Sequence, residues 1–121
     1  MALTNTVLLS HLAKARIPFT DNLATGGAAS QAAALPVPTM ASRFTYSAAG
    51  ATASVVLKDI LTNDCPDMYW VINDSGATID VYPNGSQTIN GGSSPLTIAN
   101  AGFAFFSRIA ANSDWRGAVF T

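Results

Sequence analysis

From residue 43 onward, apolar and polar side chains alternate in short runs broken by glycine, proline, asparagine and aspartate. A period of two with such punctuation is the pattern of short strands joined by tight turns. The first candidates are Arg43-Phe44-Thr45-Tyr46 and residues 53–60, the latter rich in β-branched side chains. Residues 67–73 set Met68, Trp70 and Ile72 against Tyr69 and Val71. Both faces are apolar there, which predicts a central strand buried on two sides. Residues 78–82 place Ile79 and Val81 opposite Asp80, and residues 88–90 and 96–98 flank a Gly-Gly-Ser-Ser-Pro loop. Residues 102–110 carry Phe103 and Phe105 on one face and Ala104 and Phe106 on the other, and residues 115–120 close the chain. Turn signals fall at Asp74-Ser75-Gly76 and Pro83-Asn84-Gly85. Seven or eight short strands at roughly 8–12-residue spacing predict an all-β fold, an antiparallel β-sandwich or jelly-roll-like barrel, rather than parallel βαβ units.

Residues 1–42 read differently, and the pattern divides the chain into an N-terminal arm (1–42) and a β-domain (43–121). Leu8, Leu9, Leu12 and Ala15 share one face of a possible helix over residues 6–15, capped by Thr4, Asn5 or Thr6. At barely three turns it is marginal alone and needs a surface to lie against. Residues 22–42 are uncharged and alanine-rich, with Gly26-Gly27 and the Pro36-Val37-Pro38 pair opposing helix and central strand. A stretch too small to build a core and too apolar for an ordinary linker suits a groove on another protein. Extended, twenty such residues reach roughly 70 Å. The candidate partner-binding residues are therefore Leu8, Leu9, Leu12, the apolar step Ile17-Pro18-Phe19, Leu35 and Val37.

Composition sharpens this picture. At 121 residues the chain has room for one domain, and 49% apolar residues supply a core. Charged residues make up only 11%, all seven acids are Asp, and the net charge is −1. That balance gives no electrostatic case for nucleic acid or an anionic membrane. A surface so poor in charge is weakly protected against association, so much of it is expected to meet other protein. The short run Val7-Leu8-Leu9, followed rather than preceded by Lys14 and Arg16, does not read as a signal peptide. No stretch approaches the ~20 apolar residues of a membrane-spanning helix. A soluble product made in the cytoplasm is expected.

Chemistry-bearing residues are sparse. A single cysteine, Cys65, excludes an internal disulfide framework and any multi-cysteine zinc site. It lies between Asp64 and Pro66, with Asp67 following, and acidic neighbours oppose a thiolate. His11, the only histidine, adjoins Ser10, but adjacency in sequence does not make a nucleophile and its base. Asp59, Asp64 and Asp67 are the one acidic cluster that could attract a cation, yet their spacing matches no EF-hand loop. Neither a glycine-rich phosphate loop nor a dinucleotide fingerprint occurs. The expectation is a protein that is not an enzyme, with no catalytic residues, no cofactor and no metal. Tyr69, Trp70, Tyr82 and Trp115 are the large surfaces that could stack on sugar or fill a core or subunit interface.

One ordered set of short motifs remains. Val71-Ile72-Asn73 precedes Ser75-Gly76-Ala77, then come Val81-Tyr82-Pro83, Ile89-Asn90-Gly91, Phe103-Ala104-Phe105 and Asp114-Trp115-Arg116. This stretch, about 50 residues from Trp70 to Arg116, resembles a recurrent β-module of small tailed-bacteriophage virion proteins of the head-decoration (cement) and fibre types. The resemblance implies a structural protein bound to the outside of a capsid. Its expected partners are the major capsid protein and copies of itself, as a homotrimer or alternatively a dimer. The alternative it implies is a tail- or fibre-associated module that recognises host glycan through its aromatics. It carries no information on residues 1–42.

Overall fold

The computed structural model describes residues 20, 23–25, 30–44 and 52–121. The possible helix at 6–15, His11 and the candidate partner-binding residues Leu8, Leu9, Leu12 and Ile17-Pro18-Phe19 lie outside the described residues. Nine strands are present among those described: β1 (Leu35–Pro36), β2 (Ala41–Phe44), β3 (Thr52–Val56), β4 (Met68–Asn73), β5 (Thr78–Tyr82), β6 (Thr88–Ile89), β7 (Leu96–Ile98), β8 (Phe103–Ile109) and β9 (Asp114–Phe120). Two single-turn 3-10 helices, Gln31–Ala33 and Ala110–Asn112, are the helical elements among the described residues. The all-β expectation is met.

The strands form a four-stranded sheet in the order β1-β3-β5-β7 and a five-stranded sheet in the order β2-β4-β8-β9-β6. Successive strands from β1 to β8 therefore alternate between the sheets, and only β8 and β9 are consecutive neighbours. This corrects the antiparallel expectation. β1–β3, β3–β5, β2–β4 and β6–β9 pair in parallel, whereas β4–β8, β8–β9 and β5–β7 are antiparallel. The sheets are mixed and do not close into a barrel. Turns that look like hairpins in the sequence are corners that hand the chain to the other sheet. A strand that returns after one such excursion can run parallel to its predecessor.

Asn73 shows how a corner is held. It ends β4, is fully buried, and donates from Nδ2 to the carbonyls of Ala77 (2.7 Å) and Ile98 (2.9 Å). The second bond reaches β7, so one amide ties the two sheets together. Its Oδ1 accepts from the Ser75 amide and hydroxyl, closing the Asp74-Ser75-Gly76 turn, where Gly76 takes φ +84°.

The core lies where both sheets meet. Phe44, Tyr69, Val71, Ala104, Phe106 and Trp115 come from the five-stranded sheet, and Val55, Ile79, Val81 and Ile98 from the four-stranded one. Tyr69 and Trp115 are both fully buried, with ring centroids 5.5 Å apart. β4 sits between β2 and β8, in the interior position its two apolar faces predict.

The boundary expected between residues 42 and 43 falls inside β2. Val37 is 2% exposed and belongs to the core, and its amide bonds Val56 O while its carbonyl accepts from the Tyr69 hydroxyl. Within residues 30–42, Leu35–Pro36 thus joins the four-stranded sheet and Ala41–Ser42 the five-stranded one. Pro36 and Pro38 fit because β1 is an edge strand, where a missing N–H costs no ladder bond. Upstream, the Thr20 amide bonds Ala41 O, the Arg43 amide bonds Thr20 O, and the Leu23 amide bonds Arg43 O, so residues 20 and 23 are stitched to the edge of β2.

Candidate partner-binding surface

The motif residues of the resemblance meet in space as braces. Asn90 (φ +54°) and Gly91 (φ +80°) turn the chain after β6. The Asn90 side chain then pairs with Gly117 as a strand residue would: Nδ2 donates to Gly117 O and Oδ1 accepts from Gly117 N, both at 3.0 Å. Asp114 opens β9 at 3% exposure and accepts on Oδ1 from the Thr88 hydroxyl (2.6 Å) and the Gly91 amide (2.9 Å). Burial works to raise the Asp114 pKa, but those two hydrogen bonds and the Arg116 charge (Nε–Oδ2 3.1 Å) prevail and hold it below the usual carboxylate value. Ile-Asn-Gly and Asp-Trp-Arg are therefore two halves of one clamp between β6 and β9.

The acidic loop does not converge. Asp64 pairs with Lys58, Asp67 with Arg108 Nη2 at 2.6 Å, and Asp59 Oδ1 accepts from Gln87 Nε2 (2.5 Å) and the Leu61 amide (2.9 Å). Among the described residues no three acidic, histidine or cysteine side chains are grouped as metal ligands. Cys65 is buried at 6% exposure, and burial pushes its thiol pKa up against the lowering pull of Arg108. Of the four large aromatics, Tyr69 and Trp115 are spent on the core, and Trp70 and Tyr82 stay half-buried.

Every described lysine and arginine forms an ion pair with an aspartate of the same chain: Arg43–Asp74, Lys58–Asp64, Arg108–Asp67 and Arg116–Asp114. Large apolar side chains are exposed instead, namely Leu35 (44%), Leu61 (69%) and Met68 (38%). Leu35 lies on the edge strand β1, and the other residue of that strand, Pro36, helps line a groove of about 350 Å³ between β1 and the β3–β4 loop. Pro36, Pro38, Val56 and Leu57 supply its apolar wall, and Lys58, Asp59, Thr62 and Asn84 line it as well. The Gln31 side chain donates to Pro83 O (2.5 Å) and Gly85 O (3.0 Å), fixing the approach to β1 against the β5–β6 turn.

Of the candidate partner-binding residues within the described part, Leu35 is thus at the surface and Val37 in the core. Leu61 stands in the β3–β4 loop, where no periodicity assigns a face; Met68 shares by alternation the face of Trp70 and Ile72, yet as the first residue of β4 it lies at the strand's end and is exposed rather than buried. No helix among the described residues is long and apolar enough to cross a membrane. No protein-family model, curated protein or solved structure matches this chain.

Proposed function

We propose that this chain is a structural virion protein that binds the outside of a tailed-bacteriophage capsid as a homo-oligomer and reinforces it, with its two sheets facing as a sandwich. The observation that carries the reading is the surface chemistry. Basic groups among the described residues are neutralised within the chain, while Leu35 and Leu61 are left exposed and a groove with an apolar wall lies between β1 and the β3–β4 loop. Such a surface recognises protein by shape and apolar area rather than by charge. A contact of standard size buries on the order of 1,600 Å², and repetition over a shell multiplies its effect. In this reading the contact centres on Leu35 and Leu61, because the residues around Val37 are committed to the chain's own sheets.

The test is the copy number of the chain in particles made from the genome that encodes it, by quantitative mass spectrometry and electron microscopy. Hundreds of copies on the head support the proposal. A few to tens at the tail, or none, overturn it. Leu35→Asp with Leu61→Asp should lower head occupancy at least about ten-fold, equivalent to some 1.4 kcal/mol per contact, while the unfolding midpoint of the free protein stays close to its original value.

A further inference from the structure

An open sheet edge is a row of unpaired backbone donors and acceptors that can take up another strand. Among the described residues the two sheets end in four edge strands, β2, β6, β1 and β7. The chain itself closes three of them. On β2 the Arg43 amide bonds Thr20 O, and Arg43 O accepts from the Leu23 amide. On β6 the amides of Thr88 and Asn90 bond Ser113 O and Trp115 O of the β9 side, so Ile89 between them faces outward. Its amide bonds Gly92 O (2.8 Å) and its carbonyl accepts from Gly92 N (3.0 Å). On β1 the Val37 amide turns inward to Val56 O, so Pro36 faces outward, and proline has no N–H to offer.

β7 differs. The Leu57 amide bonds Tyr82 O, so Tyr82 turns its backbone polar groups to β3, and by alternation Ile79 and Val81 turn theirs to β7. Their partners Ile98 and Leu96 therefore face β5, and Thr97 between them presents its N–H and C=O outward. The Thr97 hydroxyl donates to Asp80 Oδ1 at 2.8 Å, which fits this register, since side chains lie closest across a non-hydrogen-bonded pair. Thr97 is exposed, and no described residue bonds its amide or its carbonyl. Nor does a charge guard this edge, because no charged residue occurs between Asp80 and Arg108.

We propose that β7 pairs with β7 of a second copy of this chain, antiparallel about a two-fold axis at Thr97, so that the two four-stranded sheets become one continuous sheet. A residue on such an axis meets itself, and needs one outward donor and one outward acceptor; Thr97 has both. The flanks agree. In this register Pro95 stands opposite the second copy's Ala99. Pro95 offers a carbonyl and no N–H, whereas Ala99 offers an N–H and its carbonyl already accepts from the Gly102 amide (3.0 Å). The missing donor of proline thus falls opposite the acceptor that needs none. Half-buried Leu96 comes to lie opposite the second copy's Ile98, on the core side. Charge does not oppose the contact: the two Asp80 side chains in line with Thr97 stand three strand spacings apart, about 14 Å, beyond the screening length of about 8 Å at physiological ionic strength. The inference takes from the proposed function only that the chain self-associates, and it uses the sheet edge opposite the β1 groove.

The test uses the full chain in solution. Sedimentation equilibrium should show a concentration-dependent dimer. Thr97→Lys sets like charges opposite each other on the axis and should weaken the dimer at least about ten-fold, with the unfolding midpoint unchanged. In Thr97→Cys, mild oxidation should link two copies through position 97, located by peptide mapping, because Cα atoms of a hydrogen-bonded pair lie about 5.5 Å apart, within disulfide range. A monomer at every concentration up to about 1 mM, a trimer, a dimer equally tight in Thr97→Lys, or no cross-link at position 97 would each overturn the inference. A monomer present in hundreds of copies on the phage head would overturn it and leave the capsid reading standing. A Thr97-dependent dimer absent from particles would support it and overturn the capsid reading.

Discussion

Gly117→Ala is expected to destabilise the protein, although the same change usually helps in a strand. Gly117 does not adopt a positive φ, so alanine meets no backbone strain there. Reduced freedom of the unfolded chain alone would stabilise by about 0.4–1 kcal/mol. Packing decides otherwise. A Cβ at this position would lie 2.9 Å from Cδ1 and Cε1 of Phe106 and 3.0 Å from Cδ2 of Leu96. Carbon pairs prefer about 3.5–4.0 Å, so the overlap exceeds half an ångström. Phe106 is fully buried in the core and cannot swing out. Overpacking of this kind costs about 1–3 kcal/mol, and subtracting the entropic gain leaves a net loss of about 1–2 kcal/mol. Urea unfolding followed by fluorescence should show a lower midpoint at unchanged slope. Leu96 is only partly buried, so combining Gly117→Ala with Leu96→Ala should cost less than the sum of the two changes. A Gly117→Ala protein as stable as the original, or strict additivity with Leu96→Ala, would refute the reasoning.

Three further outcomes follow from the geometry. Asp114→Ala strands the Thr88 hydroxyl and the Gly91 amide and should cost about 2 kcal/mol at neutral pH. Because the folded pKa of Asp114 is depressed, its contribution is complete above the unfolded value of about 3.9 and is lost as pH falls through the folded one; the original protein should therefore lose stability in acid more steeply than the variant, and parallel profiles would contradict this. Cys65 should react with a thiol reagent at neutral pH on the order of ten-fold or more slower in the folded protein than in urea, since its thiol is buried and its pKa raised; equal rates would count against it. A chain starting at residue 43 loses β1, Val37 and the first half of β2, and should show no cooperative unfolding transition, whereas an unchanged midpoint would mean that residues 30–42 add nothing to the fold.

The all-β class, the strands at 78–82 and 96–98, the interior place of β4 and the split of Phe103 and Phe105 from Ala104 and Phe106 were legible in the sequence. Each depends on alternation, and alternation is local: successive side chains of a strand point to opposite sides whatever lies beyond them. The turns at Asp74-Ser75-Gly76 and Pro83-Asn84-Gly85 were legible for the same reason, since Asn73 accepts from the Ser75 amide two residues on and Gly76 and Gly85 supply the positive φ of their own backbone. What those turns connect was decided by the tertiary structure. Asn73 reaches Ile98 across the sheets, so its turn is a corner and not a hairpin, and the strands alternate between two mixed sheets. The standing of residues 30–42 was decided there too. An uncharged stretch with two prolines reads as a strap for another protein until β3 offers its edge to Leu35 and the core takes Val37. The exposure of Leu61 and Met68, and the pairing of each aspartate of the 59–67 loop with a different partner, likewise depend on residues up to forty or so positions away. Period and turn chemistry are properties of neighbours in the chain, whereas burial and partnership are properties of neighbours in space.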